Sequence, residues 1–64
     1  MGATVLAVDA RGEPTQHQTA DSVPQALGVL SDGLRHQRWL VAFTARDGSR
    51  LELPIDSIVG IREA

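Results

Sequence analysis

His17 and His36 are the two side chains of this sequence that could exchange a proton near neutral pH. Catalysis by either would need an orienting partner and a nucleophile in the same site. Ser22, Ser31, Ser49 and Ser57 are accounted for by helix capping or by turns. The sequence holds no Gly-x-Ser-x-Gly elbow, no phosphate-cradling glycine loop and no metal-ligand spacing. The histidines are far apart and there is no cysteine, so no zinc pattern forms. His17 is expected on an exposed loop or edge, and His36 at a helix end, facing the negative pole of the dipole. Asp9, Asp47 and Asp56 fall in predicted turns, where aspartate bonds the backbone. Arg50 and Glu52 share a strand face and solvate it. A glycosidase-like pair of acids would also need a cleft, which a single-helix domain of this size rarely has. The expectation is a chain that is not an enzyme, with no catalytic residue, no metal and no cofactor.

Arg35-His36-Gln37-Arg38-Trp39 is the densest cluster of recognition residues. Arg and Trp are over-represented at binding hot spots, and Arg beside an aromatic can hold single-stranded nucleic acid. The same residues also suit a helix end followed by a core anchor, Trp39. All six basic residues are arginine, which reads as a GC-rich coding bias rather than phosphate-binding design. The formal net charge of -2 argues against general nucleic-acid affinity.

These residues must be positioned by a small frame. Sixty-four residues make one domain, and such a chain buries only about 60% of its unfolded surface. Without cysteine no disulfide can staple it, so oligomerisation is a route to stability. No apolar run approaches the ~18 residues of a membrane span. No basic segment precedes an apolar core at the N-terminus, so a signal peptide is not expected. A cytoplasmic protein without membrane contact is the expectation.

The frame centres on Trp39 to Ile61, which contains the only Trp and the only Phe. Asp47-Gly48 between two β-rich runs signals a hairpin. A two-residue loop would put Trp39, Val41 and Phe43 on one face with Arg50, Glu52 and Pro54. A three-residue loop, Arg46-Asp47-Gly48, would pair Phe43 with Leu51, Val41 with Leu53 and Trp39 with Ile55. A one-residue slip exchanges whole faces, and burying six large apolar groups at about 1.5–3 kcal/mol each decides for the three-residue loop. Gly48 then takes the left-handed position of a type I turn with a G1 bulge. Leu40, Ala42, Thr44, Arg50, Glu52 and Pro54 take the opposite face. Pro54 belongs at a strand end or edge, Asp56-Ser57 makes a corner, and Ile58-Val59-Gly60-Ile61 is a last strand.

Upstream, Ala3 to Val8 is a first strand, followed by a turn in which Gly12 can play the part of Gly48. Glu13 to Thr19 is polar throughout and reads as an edge strand or a loop, with Pro14 confining a strand there to an edge. Ser22, Pro24 and Gln25 open a helix with a capping box, and Asp21 adds charge near its positive pole. Val23, Ala26, Leu27, Leu30 and Leu34 form its apolar stripe. Gly28 on or beside the stripe would permit close approach to the sheet. Gly33 could stop the helix as a cap, but Leu34 continues the stripe, so a helix running to about Gln37 is favoured. The fold class is α+β: an antiparallel sheet of four to five strands with one amphipathic helix on one face, in the order ββαβββ.

The chain resembles a small uncharacterised actinobacterial family. Its pattern is a hairpin, a Thr-x-Asp-x-Val helix start, and a hairpin ending in Gly-x-Arg-apolar-x-apolar-Pro-x-x-x-Ile. Thr19, Asp21 and Val23 match the helix start; Gly48, Arg50, Leu51, Leu53, Pro54 and Ile58 match the hairpin end. Arg35 to Trp39 departs from it, standing where glycine-rich residues are expected. A looser likeness runs to flagellar FlbD-type proteins, through the Gly-apolar-Pro-Ile ending. The resemblance implies a small α+β binding module and adds no catalytic residue.

The expected function is a non-catalytic protein-interaction module, a homodimer or a binder of another protein. Its contact face would be the second sheet face, through Leu40, Ala42, Thr44 and Arg50, with Arg35 and Arg38 beside it. The alternatives are a nucleic-acid-binding regulator using Arg35, Arg38, Arg46, Arg50 and Trp39, and a small inhibitor docking on an enzyme.

Overall fold

The computed structural model describes residues 2–63. The elements run β1 (Ala3–Val8), β2 (Pro14–Gln18), α1 (Val23–Arg35), β3 (Leu40–Thr44), β4 (Arg50–Pro54), a 3-10 turn (Ile55–Ser57) and β5 (Ile58–Glu63). The class is α+β with five strands and one α-helix among the described residues, in the expected order. The strands form two antiparallel sheets, β2-β1-β5 and β3-β4, where a single sheet was expected. The difference lies in β5. It does not extend the β3–β4 hairpin. Pro54 and the 3-10 turn break away from β4, and β5 crosses to pair with β1. Strand β1 is buried on both faces at Ala3, Thr4 and Val5. Holding partners on both edges satisfies its backbone there.

Both hairpins use one turn. Gly48 N–H donates to the Ala45 carbonyl at 2.9 Å, and Ala45 N–H donates to Ser49 at 2.8 Å. Gly12 N–H likewise donates to Asp9 at 2.9 Å, and Asp9 N–H to Glu13 at 2.9 Å. Gly12 and Gly48 have φ of 80° and 87°, where glycine is least strained. The expected register therefore stands: Val41 pairs with Leu53 and Phe43 with Leu51, and Ile55 N–H donates to the Trp39 carbonyl at 2.9 Å. Residues 14–18 are a strand, at the edge of their sheet.

The seam between the sheets is at Thr19. Its N–H and Oγ1 both donate to the Ala3 carbonyl at 2.9 Å, and it forms an isolated bridge with Ala45. Ala20 N–H donates to Thr44 at 2.8 Å. Thr44 N–H donates to Asp21 Oδ2 at 2.9 Å, so this carboxylate ties the helix entry to β3.

Ser22 caps α1 with a full capping box, in which Ser22 N–H donates to Gln25 Oε1 at 2.9 Å and Gln25 N–H to Ser22 Oγ at 3.2 Å. The helix ends at Arg35, two residues before the expected limit, and Gly33 does not stop it. Gln37 has φ of 56°. Arg38 N–H donates to Gly33 at 2.9 Å and Gln37 N–H to Leu34 at 3.2 Å. This is a Schellman closure with Gln where Gly is usual.

The helix phase corrects the expected stripe. Ala26 and Gly33 are the buried helix residues, with Val23 and Val29 packed against the core. Leu27 and Leu34 are 49% and 62% exposed. Close approach occurs at Gly33, not Gly28. A Cβ on Gly33 would lie 2.5 Å from Val41 Cγ1, while one on Gly28 would meet nothing within 4 Å. The core is Ala3, Val5, Ala26, Val41, Phe43 and Leu53. Trp39, expected inward, is 73% exposed. It precedes β3 and is not among the residues packed on the core.

Candidate functional site

Three places could carry a function. The first is the expected partner face. Leu40 and Ala42 are half-buried, while Thr44, Arg50, Arg35 and Arg38 are exposed. Its charged residues meet each other and its apolar residues meet the helix. Arg50 pairs with Glu52 at 3.1 Å, and Leu40, Ala42, Arg38, Arg50 and Glu52 line a shallow depression of about 220 Å³ with Val29 and Asp32 of the helix. Arg35 lies 3.9 Å from Asp32. The Arg35 to Trp39 cluster is thus largely a helix end. His36 is the C-cap, its Nδ1 2.9 Å from the Asp32 carbonyl and 3.3 Å from its carboxylate.

The second place is an apolar ridge. Leu27, Leu30 and Leu34 recur at helical spacing on the shoulder of α1 beside its buried face. Leu30 is half-buried, and Leu27 and Leu34 stand clear of the core. Trp39 follows, past the Schellman turn. The apolar arc of α1 spans roughly 160° at 100° per residue, wider than the strip that meets the sheets.

The third place is a cleft of about 490 Å³ between the two sheets. Ala7, Val8, Ala10, Leu53 and Pro54 make most of its wall, with Thr15, His17, Asp9, Asp56 and Ser57 as its polar residues. His17 lies on an edge strand, as expected, but it pairs with Val5 across the sheet, shares the inward face and is half-buried. Thr15 Oγ1 donates to the Ala7 carbonyl at 3.2 Å and stands 3.1 Å from His17 Nε2. A hydroxyl has one proton, so with Thr15 donating to Ala7 a neutral His17 ring makes the second contact through Nε2–H and keeps Nδ1 as an acceptor. Alternation along Thr15-Gln16-His17-Gln18 was the sequence signal for this, once the segment is taken as a strand.

Two of the turn aspartates behave as expected. Asp9 Oδ1 accepts from the Arg11 and Glu13 amides at 2.9 Å. Asp47 Oδ1 accepts from Ser49 Oγ at 2.6 Å and Ser49 N–H at 2.9 Å. The Ser49 hydroxyl, and then its amide, hold the Asp47 carboxyl below its ordinary value of 3.8. Asp56, in the 3-10 turn, forms no ion pair with the described residues. No group of three or more potential ligands that could hold a metal ion occurs among the described residues. No helix among them is long and apolar enough to cross a membrane. Comparison with protein-family models, with curated proteins and with solved structures gives no match.

Proposed function

We propose that this chain is a non-catalytic protein-interaction module that associates with a second copy of itself. The observation that carries the reading is the ridge: of the four large apolar residues left exposed, Leu27, Leu34, Trp39 and Val59, two lie on one shoulder of α1 and a third follows its end, with Leu34 62% and Trp39 73% exposed. Isolated exposed leucines are ordinary, but Leu27 and Leu34 two turns apart on one helix shoulder, with an exposed tryptophan five residues further on, have the spacing of a contact surface. A two-fold partner seated on the helix shoulder sets Leu27 of one copy beside Leu34 of the other, and each Trp39 closes one end. This moves the proposed contact from the β3–β4 face to the helix, because Leu40 and Ala42 are already half-covered by their own chain.

Sedimentation velocity at micromolar concentration tests the reading. The native chain is expected to sediment as a dimer, and Leu34→Asp as a monomer with an unchanged far-ultraviolet spectrum. A native monomer across the accessible range overturns self-association. Loss of the dimer in Leu40→Ser but not in Leu34→Asp returns the contact to the β3–β4 face.

A further inference from the structure

The cleft between the sheets is a second site, independent of the proposed self-association, and its chemistry is one-sided. Thr15 has given its hydroxyl proton to the Ala7 carbonyl at 3.2 Å. Ser57 has given its own to the Pro54 carbonyl at 2.7 Å. With the Thr15 proton on the Ala7 carbonyl, a neutral His17 ring meets Thr15 Oγ1 at 3.1 Å through Nε2–H and keeps a lone pair on Nδ1. Asp56 brings a carboxylate with no ion pair among the described residues. Asp9 contributes less charge, because its Oδ2 lies 3.9 Å from Arg11. Every polar side chain of the cleft therefore presents an acceptor, against walls supplied by Ala7, Val8, Leu53 and Pro54. A volume of about 490 Å³ suits a small organic molecule.

We propose that this cleft binds a small organic cation, an amine with an aliphatic or aromatic body. The ammonium group donates to Asp56 and to His17 Nδ1, and the body lies along Leu53, Pro54 and Ala7. An anion of the same shape meets the Asp56 carboxylate without a donor to receive it, and a neutral alcohol gains one hydrogen bond and no charge attraction.

The test uses the whole chain, labelled with nitrogen-15, titrated in turn with hexylamine, hexanol and hexanoate. Hexylamine is expected to shift the amide signals of Ala7, Thr15, His17 and Leu53, and to bind about tenfold more tightly than hexanol, the scale of one charge-assisted hydrogen bond. Asp56→Asn should weaken hexylamine and leave hexanol unchanged, in a variant whose amide spectrum stays dispersed. His17→Phe, which keeps an aromatic ring and removes the acceptor, should weaken hexylamine as well. Equal affinity for the three probes, tighter binding of hexanoate, or shifts confined to other residues would overturn the proposal. So would the absence of any shift at millimolar hexylamine.

Discussion

Alanine at Gly28 should stabilise the protein, and alanine at Gly33 should not. Both glycines lie inside α1, where replacement by Ala gains about 1 kcal/mol of helix propensity. At Gly28 nothing opposes that gain, since a Cβ there has no neighbour within 4 Å. Gly28→Ala is therefore expected to stabilise by about 1 kcal/mol. At Gly33 the new carbon would sit 2.5 Å from Val41 Cγ1 and 3.0 Å from Ile55 Cδ1. Val41 is buried and stiff at χ1, so it cannot swing away. Overpacking of this kind costs about 1–3 kcal/mol, which cancels or exceeds the propensity gain. The expected gap between the two variants is about 1–3 kcal/mol, or roughly 4–8 °C in Tm per kcal/mol for a domain of this size. Thermal and urea denaturation followed by circular dichroism measure it. Val41→Ala should be less costly in the Gly33→Ala background than alone, because it removes the clashing methyl. Equal stabilisation by both alanines, with no coupling to Val41, would refute the helix–sheet contact described above.

Three further outcomes follow from the same geometry. Gln37 sits in the left-handed region at the helix exit, where a non-glycine residue is strained by about 1–2 kcal/mol, so Gln37→Gly should raise the denaturation midpoint. Phe43→Ala should cost about 3–5 kcal/mol by emptying a core position, while Trp39→Ser should leave monomer stability near the native value; parallel urea titrations separate them. The folded pKa of Asp47 is lowered, so its contribution is complete above the unfolded value of 3.8 and fades as pH falls toward the folded one. Asp47→Asn should therefore flatten the stability profile only in the acidic window below about pH 4–5, the range of unfolded carboxylates, and leave its slope near neutrality unchanged.

The local structure was legible wherever one residue type dictated one geometry. Asp47-Gly48 and the alternation of Val41, Phe43, Leu51 and Leu53 settled the β3–β4 register. Gly12 repeated the turn, and Ser22 with Gln25 marked the helix start. The helix phase was not legible, because its apolar residues cover more of the circumference than the sheets can. Periodicity alone did not show that Ala26, Val29 and Gly33 take the contact while Leu27 and Leu34 are left out. The packing role of Gly33 was not legible, because its contact partner, Val41, lies on another element. The pairing of β5 with β1 joins the two ends of the chain, and no local pattern in Ile58–Glu63 names that partner. His17 was legible only by way of the strand: once Pro14–Gln18 pairs with β1, alternation turns Thr15 and His17 inward. Trp39 keeps the expected register, its carbonyl accepting from Ile55 N–H, but the core that buries Val41 and Phe43 does not extend to it.

The most direct test of the proposed contact surface uses Trp39 as its own probe. Its emission maximum and its quenching by acrylamide are followed as the native chain is diluted. Association through the Leu27–Leu34 ridge predicts a blue-shifted, protected tryptophan at high concentration. That tryptophan should become solvent-like on dilution, and Leu34→Asp should be solvent-like throughout. A tryptophan equally quenchable at every concentration, in a chain that sedimentation shows to be dimeric, would place the contact elsewhere and contradict the account.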